Sequence, residues 1–294
     1  MMNCNICPRN CNINRTTSPG FCGVQDKIVI RKVMLHQYEE PVLTLPTDKG
    51  SGTIFFAGCN LRCVYCQNYD VSHSSKGKEI TINGLVEIFK LLENEGAGNI
   101  DLVSPTHYTK QIIQALKIYK PKIPVIWNTG GYEKPETIKE LEGLVDIFLT
   151  DFKYANNEYA LKYSKANNYV ENVKNSIKMM HKLQPVNQFF NNKLISGIIV
   201  RHMVLPNLTK DSISVLDSIV DILGKDAIVS IMSQYTPMGK ANEHPEINRR
   251  ITNLEYKTVI AHANKLGLKN AFVQELESAS SSYTPNFNSK IIDL

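Results

Sequence analysis

Three cysteines lie close together in the run GCNLRCVYCQN, namely Cys59, Cys63 and Cys66. This run directly follows a short apolar stretch, GTIFFA, which predicts a strand. Thiolates are soft ligands that select zinc, copper(I) or iron–sulfur clusters. A [4Fe–4S] cluster held by three cysteines keeps one iron open to a small molecule. The C-x3-C-x2-C spacing therefore favours such an open cluster, with a structural zinc knuckle as the alternative.

A second group of cysteines lies near the N-terminus, with the spacing C-x2-C-x3-C-x10-C: Cys4, Cys7, Cys11 and Cys22. A segment this short has no core of its own, so a bound metal would have to stabilise it. A zinc site is the structural interpretation, and disulfides come third because no export signal is seen. A second iron–sulfur cluster, which could relay electrons or bind substrate, is slightly preferred because the same cell must load the first.

Composition and charge set the broad class of the protein. The 294 residues can form one large α/β domain or two smaller ones, and the net charge of +5 is modest. A charge of this size, spread along the chain, does not argue for a nucleic-acid partner. No apolar run is long enough to cross a bilayer, and the first ten residues contain no signal-peptide core. We therefore expect a cytoplasmic protein without a membrane partner.

Six short apolar runs alternate with amphipathic helical patterns along most of the chain. The runs are GTIFFA, IDLVS, PVIWNT, DIFLTDF, SGIIVRHMVLP and AIVSIMS. Such alternation predicts parallel βαβ units with right-handed crossovers. Because no early G-x-G-x-x-G motif is present, the pattern suits a full or partial barrel better than a dinucleotide-binding sheet. The predicted fold class is therefore α/β.

The same pattern divides the chain into four parts. Residues 1–27 form a Cys-rich extension, and residues 28–50 are expected to be a connecting segment. The barrel core is predicted over residues 51–245. Residues 246–294 form a C-terminal extension with a helix, a short apolar run (NAFVQEL) and a polar tail (SASSSYTPNFNSK). We expect this tail to be extended or mobile.

Barrel enzymes carry their chemistry at the C-terminal ends of the strands. Each of the six predicted strands has a polar or thiol group at that end: Cys59 after the first; Ser104, Pro105, Thr106 and His107 after the second; Asn128 and Thr129 on the third; Asp151 and Lys153 on the fourth; Arg201 and His202 on the fifth; Gln234 and Tyr235 on the sixth. Since successive side chains of a strand face opposite ways, Arg201 is preferred toward the pocket over His202. We expect these ends to converge on one site.

The cysteine motif, with Tyr65 before its third cysteine, resembles the signature of the radical S-adenosylmethionine (SAM) superfamily. The runs IWNTGGYEKPETIKELEGLVDIFLTDFKY and IIVRHMVLPN resemble pyruvate formate-lyase activating enzymes, especially activating-enzyme-like proteins that begin with a four-cysteine segment. This resemblance extends from about Cys4 to Tyr256. It implies a partial (β/α)6 TIM-type barrel in which Cys59, Cys63 and Cys66 hold a [4Fe–4S] cluster. SAM would chelate the free iron and be cleaved to a 5′-deoxyadenosyl radical that abstracts hydrogen from a substrate.

The resemblance also implies roles for residues outside the cysteine motif. Asn128 and Thr129 lie where the family contacts SAM near its ribose, although the family has an aspartate at the position of Asn128. Asp151 and Lys153 match a D-x-K pattern whose lysine pairs with the SAM carboxylate. Arg201 matches an arginine near SAM on the fifth strand.

One part of the chain departs from the superfamily pattern. A Gly-Gly-Glu turn commonly follows the second strand and holds the SAM amino group, but here Ser104-Pro105-Thr106-His107 takes its place. The side chains of Ser104, Thr106 and His107 are the expected acceptors for that amino group. We interpret the change as a trait of the subgroup.

The resemblance implies flavodoxin or ferredoxin as the electron donor. In activating enzymes the hydrogen comes from a backbone glycine of a partner, so a glycyl-radical enzyme or another protein is the expected substrate. A small molecule, RNA or a peptide side chain remains open as a variant. The rival hypothesis from the residues is a non-catalytic zinc-binding scaffold or nucleic-acid-binding module.

Overall fold

A computed structural model describes residues 3–274, 285–287 and 289–293. The described residues contain one sheet system of eleven strands. The strands are β1 (Ile28–His36), β2 (Ser51–Phe56), β3 (Lys78–Ile80), β4 (Ile100–Val103), β5 (Val125–Thr129), β6 (Ile147–Asp151), β7 (Gln188–Phe190), β8 (Lys193–Met203), β9 (Ile228–Met232), β10 (Asn270–Val273) and β11 (Ile292–Asp293).

Helices connect most of the strands. They are α1 (Tyr69–Ser72), α2 (Ile82–Asn94), α3 (Thr109–Ile118), α4 (Pro135–Lys139), α5 (Asn157–Ser164), α6 (Tyr169–Leu183), α7 (Thr209–Leu223) and α8 (Asn253–Leu266), with short 3₁₀ turns at Thr106–Tyr108, Ala241–Glu243 and Pro245–Ile247. The start of α8 shows how the sequence sets a helix boundary. The Thr252 side chain accepts from the Glu255 backbone and the Glu255 side chain bonds back to Thr252, which forms a capping box.

The six predicted strands are parallel neighbours in the order β2, β4, β5, β6, β8, β9. The sheet continues to β10 on one side and to β1 and β11 on the other, and it does not close on itself. The prediction of a partial barrel in an α/β fold is therefore confirmed. In this register Asp151 of β6 pairs with Arg201 of β8, and Arg201 pairs with Ser230 of β9. Three polar side chains are thus brought side by side at one level of the sheet.

The segment 28–50, expected to be a connection, contributes to the barrel. Its first part is β1, which runs antiparallel to β2 and pairs His36 with Ser51. We call residues 37–50 the floor segment, because they pass under the N-terminal ends of the parallel strands. Leu43 is fully buried there, its carbonyl accepts from Asn99 Nδ2 at 2.8 Å, and the Val42 carbonyl accepts from the Leu194 backbone at 2.8 Å.

The barrel interior near the floor segment is apolar. Leu43 packs there with residues from β5, β6, β8 and β9: Ile126, Ile147, Leu149, Leu194, Ile199 and Ile228. A larger core lies between the sheet and the helices and includes Trp127 and Phe148, which alternate with the inward-facing residues of their strands. The floor segment therefore completes a buried layer that supports the polar layer above it.

The C-terminal part contains the expected helix, α8, and β10 extends the sheet in parallel with β9. Of the predicted polar tail, residues 278–284 and 288 lie outside the described residues. Phe287 packs edge-on against Phe55 with ring centroids 5.2 Å apart, and Ile292 pairs with Val33 of β1. The described end of the tail is therefore attached to the sheet. No helix among the described residues is long and apolar enough to span a membrane.

Candidate functional site

We call residues 57–66, which follow β2, the cysteine loop. Gly58 begins the turn with φ of +83°, and a Cβ at this position would lie 2.5 Å from the Cys22 carbonyl oxygen. Glycine is required here because only it tolerates both the backbone angle and the close approach. Cys59, Cys63 and Cys66 are free thiols that line one cavity of about 760 Å³. The structure therefore brings the three predicted ligands to one site.

The barrel holds the cysteine loop through a serine and a set of tyrosines. The Ser164 hydroxyl donates to Cys63 Sγ at 2.9 Å, and the Val64 backbone N–H donates to the Tyr163 carbonyl at 2.8 Å. Tyr65 is buried, and its hydroxyl lies 2.6 Å from that of Tyr154. Edge-to-face contacts also join the Tyr65 ring to Tyr154, Tyr163 and Tyr235. In this chain the aromatic residue before Cys66 attaches the loop to the barrel.

The donor set of the loop, three thiols, has the ligand type and number of an open iron–sulfur cluster. No group of three or more His, Cys, Asp or Glu side chains in the described part of the chain is arranged to hold one metal ion. A cubane cluster takes one thiolate at each of three irons, so its ligands need not converge on one point. Burial raises the pKa of Cys66 to about 12, so ligation there requires a metal charge that displaces the proton.

A half-buried ion network lies beside the cysteines in the same cavity. Asp151 contacts Lys153 Nζ at 2.6 Å through one oxygen and Arg201 Nε at 2.9 Å through the other. Arg201 Nη2 donates to Asn128 Oδ1 at 2.6 Å. Burial opposes ionisation of Asp151, but the Arg201 and Lys153 charges outweigh it and lower its pKa. The Asp151 charge in turn outweighs burial and raises the pKa of Lys153 and of Arg201. All three groups are therefore charged at neutral pH.

The sequence analysis did not identify three acidic side chains near Arg201, which come from the floor segment and from β4. Glu39 Oε2 lies 3.8 Å from Arg201 Nη1, and Glu39 Oε1 lies 3.1 Å from His36 Nδ1. Glu40 is also buried at the cavity. Burial and the nearby Glu39 charge raise the pKa of Asp101 well above its usual range, and burial raises the pKa of Glu40. The available signal was the acidic pair in the apolar run MLHQYEEPVLTL.

The turn after β4 places its predicted acceptors in different directions. Ser104 lines the cavity and has φ of +55°. Thr106 and His107 are buried away from the cavity: the Thr106 hydroxyl donates to Glu133 at 2.6 Å, and His107 Nε2 lies 2.8 Å from the Ala57 carbonyl. The expectation that all three side chains face the SAM amino group is corrected here, because Thr106 and His107 are used within the protein.

The hydrogen-bond partners of Thr129 and His202 show how these two predicted positions are used. Thr129 lies at the cavity, but its hydroxyl donates to the same oxygen of Glu133. Burial raises the pKa of Glu133 to about 7. Arg201 faces the cavity, whereas His202 faces the helices with Nδ1 at 2.7 Å from the Phe152 carbonyl. The preference for Arg201 over His202 agrees with the structure.

The N-terminal cysteines lie against the cysteine loop. We call residues 3–27 the four-cysteine segment. A Cβ added at Gly20 would lie 3.5 Å from the sulfurs of both Cys11 and Cys22, so these two thiols approach each other. The Cys4 backbone N–H donates to the Ile13 carbonyl at 2.8 Å, which folds the segment back on itself. The Cys59 backbone N–H donates to the Cys22 carbonyl at 3.2 Å. The two cysteine groups are therefore in direct contact.

Comparisons with known proteins were made for sequence and fold. Residues 53–218 match the family model of the Radical SAM superfamily. An uncharacterized protein of Methanocaldococcus jannaschii is 34% identical over 279 residues, which are 90% of this chain and 75% of that protein. Pyruvate formate-lyase 1-activating enzyme of Escherichia coli K12 is 27% identical over 114 residues, 35% of this chain and 46% of that enzyme.

A solved structure gives the corresponding match in fold. The crystal structure of methylornithine synthase matches with a TM-score of 0.51 and 15% identity over 83% of this chain and 65% of that one. At this identity the match shows the fold alone. This chain thus spans just under two thirds of that structure and less than half of the E. coli activating enzyme.

Proposed function

This chain belongs to the radical SAM superfamily of SAM-cleaving enzymes, and from that premise we propose a [4Fe–4S] cluster on Cys59, Cys63 and Cys66 and a protein or peptide substrate. One observation carries the first part of the proposal. Three free thiols on a single loop line the same cavity as a half-buried lysine and arginine that share Asp151 as their ion-pair partner. This arrangement combines soft metal ligands with fixed positive charge for an anionic group.

When bound, the cluster and SAM would supply reductive SAM cleavage and the radical chemistry that removes hydrogen from a substrate. The residues of this chain bind and orient. Cys59, Cys63 and Cys66 would hold the cluster, and SAM would bind beside it in the cavity that they line. Tyr65 and Ser164 fix the loop, so the three thiols are positioned before SAM binds.

Polar and charged residues of the cavity are proposed to contact the carboxylate, the ribose and the amino group of SAM. Lys153 carries a compact charge at the cavity that the cysteines line, and it is proposed to pair with the SAM carboxylate. Asp151 holds the Lys153 ammonium group in place. Asn128, fixed by Arg201, is proposed to contact the ribose. Ser104 is proposed to meet the amino group, since Thr106 and His107 are turned away.

A protein or peptide substrate is supported by the relatives. Pyruvate formate-lyase activating enzymes of Escherichia coli and Clostridium pasteurianum are among the curated proteins that match this chain. We propose a similar reaction at a backbone glycine of a glycyl-radical enzyme or another protein, with reduced flavodoxin or ferredoxin as the electron donor. The four-cysteine segment is proposed to hold a second iron–sulfur cluster or a zinc ion. The non-catalytic zinc scaffold is not retained, because the family is one of enzymes.

The test is anaerobic reconstitution with iron and sulfide, reduction with dithionite, and chromatography for 5′-deoxyadenosine after SAM is added. We expect 5′-deoxyadenosine from the wild-type protein and none from Cys63→Ala. About eight irons per chain would assign a second cluster to the four-cysteine segment, and about four irons with one zinc would assign zinc there. Wild-type protein that holds only zinc and leaves SAM intact would contradict the proposal.

A further inference from the structure

Arg9 is part of the four-cysteine segment, but its side chain ends on the cysteine loop. Its Nε donates to the Asn60 carbonyl at 2.7 Å, and its Nη2 donates to the Ser164 carbonyl at 2.8 Å and the Leu61 carbonyl at 3.4 Å. Its Nη1 donates to the Lys165 carbonyl. One guanidinium group therefore joins the N-terminal segment, the cysteine loop and the end of α5.

Among the residues that the structure describes, the charge of Arg9 has no acidic counterpart. Its guanidinium carbon lies 3.6 Å from the centre of the Phe21 ring and 5.1 Å from that of Tyr132. Within the described residues its hydrogen-bond partners are carbonyls, and no carboxylate forms an ion pair with it. The guanidinium donates to the carbonyl of Asn60, which follows Cys59, and to that of Ser164, whose hydroxyl donates to Cys63 Sγ. The positive charge therefore acts on both cysteine groups.

Two further hydrogen bonds join the segment around Arg9 to the cysteine loop. The Cys59 backbone N–H donates to the Cys22 carbonyl at 3.2 Å, and Arg62 Nη1 donates to the Phe21 carbonyl at 3.2 Å. Phe21, which stacks on Arg9, is thus held by the cysteine loop itself. The guanidinium is therefore enclosed between the four-cysteine segment and the loop.

We infer that Arg9 is a positioning residue that couples the four-cysteine segment to the catalytic loop and makes the cluster on that loop easier to reduce. The inference rests on the proposed cluster at Cys59, Cys63 and Cys66. Reduction transfers one electron from a donor such as dithionite or a reduced flavodoxin to the cluster, with no bond made or broken. The added negative charge is stabilised by an unpaired cation in a partly dry site, so the reduction potential rises.

The test measures the reduction potential of the loop cluster by EPR-monitored potentiometric titration of the reconstituted full chain. Arg9→Gln removes the charge, and Arg9→Lys keeps it while losing the forked hydrogen bonds. We expect a more negative potential for Arg9→Gln and a potential close to wild type for Arg9→Lys.

The matched control is Arg15→Gln. Arg15 also anchors the four-cysteine segment, since it donates to the carbonyls of His107 and Gln25, but its charge acts on Cys22. We expect Arg15→Gln to leave the potential of the loop cluster unchanged. An equal shift in this control would overturn the inference, because the effect would then follow from a loosened segment.

An unchanged potential in Arg9→Gln, or an equal shift in Arg9→Gln and Arg9→Lys, would also overturn the inference. If Arg9→Gln fails to take up iron on the loop, normal iron content in Arg9→Lys supports the role of the charge, and equal loss in both variants overturns it. The proposed function is tested separately, because wild-type protein must release 5′-deoxyadenosine from SAM whatever the Arg9 variants do.

Discussion

The two cysteine groups of this protein are supported in different ways. The cysteine loop follows a central strand and is packed into the barrel by Tyr65 and Ser164. The four-cysteine segment contains no helix or strand in its described residues, 3–27, and is held by backbone turns and arginine side chains. A group that performs chemistry gains from a rigid support that exists before the cofactor binds. A group without such support depends on its metal for order.

The first prediction concerns the removal of one cysteine from each group. Cys63→Ala should abolish SAM cleavage, because only two of the three proposed cluster ligands then remain on the loop. Cys7→Ala should lose the metal of the four-cysteine segment and keep cluster and cleavage on the loop, because the barrel holds the loop independently. Iron content and 5′-deoxyadenosine release measure both. Complete loss of the loop cluster in Cys7→Ala would show that the two groups are not separately supported.

The second prediction concerns the aromatic support of the loop. Tyr65→Ala removes a buried ring and should destabilise the metal-free protein by about 3–5 kcal/mol, as for other buried aromatic truncations. Tyr65→Phe keeps the ring and should cost about 1 kcal/mol, the usual value of one lost hydrogen bond. Denaturant unfolding measures both. Equal effects of the two variants would refute the packing role of the ring.

The third prediction uses Glu133, a buried carboxyl group that accepts hydrogen bonds from Thr106 and Thr129. Burial raises its pKa from 4.5 to about 7 in the folded protein, so the folded state holds this proton more tightly than the unfolded state. The stability contribution is complete below about pH 4.5 and is lost as pH rises through about 7. The full change is about 3 kcal/mol, since one pKa unit corresponds to about 1.4 kcal/mol.

Denaturant unfolding of the metal-free protein across pH 4.5–8 measures this loss. Glu133→Gln should flatten it and should be the more stable protein at pH 8, because its side chain stays neutral. The same pH dependence in the variant as in wild type would assign the titration to another group.

The smallest expected effect comes from the hydrogen bond on a ligand. Ser164→Ala removes the hydroxyl that donates to Cys63 Sγ. Donors to cluster sulfurs stabilise the reduced state, so the potential should fall, and by less than in Arg9→Gln, which removes a full charge. Ser176→Ala is the control, because that buried serine donates to the Gly131 carbonyl. A larger shift in Ser164→Ala than in Arg9→Gln would reverse the proposed order of contributions.

Much of the barrel could be predicted because its signals are local. Apolar runs of strand length alternating with amphipathic helices identified the six parallel strands, and residues at their ends, such as Asp151 and Arg201, do meet. The β1 strand falls outside this pattern, because it has no helical crossover and pairs antiparallel with β2. The position of Glu39 under Arg201 depends on the path of the floor segment, which no local pattern specifies.

The directions of side chains and the contact between distant segments were also beyond the sequence. Ser104, Thr106 and His107 looked equivalent, but the turn at Ser104 sends the other two toward Glu133 and the Ala57 carbonyl. The spacing of the four N-terminal cysteines predicted a metal site. It gave no indication that the Cys59 backbone N–H donates to the Cys22 carbonyl. These features arise from tertiary packing.

The most direct test of the comparison is EPR of the dithionite-reduced, reconstituted protein before and after SAM is added. The account predicts that SAM alters the cluster signal in wild type and in Cys7→Ala, because the open iron is on the cysteine loop, and that Cys63→Ala shows no such change. A wild-type signal that SAM does not alter, or an altered signal that persists in Cys63→Ala, would contradict the assignment of the catalytic cluster to this loop.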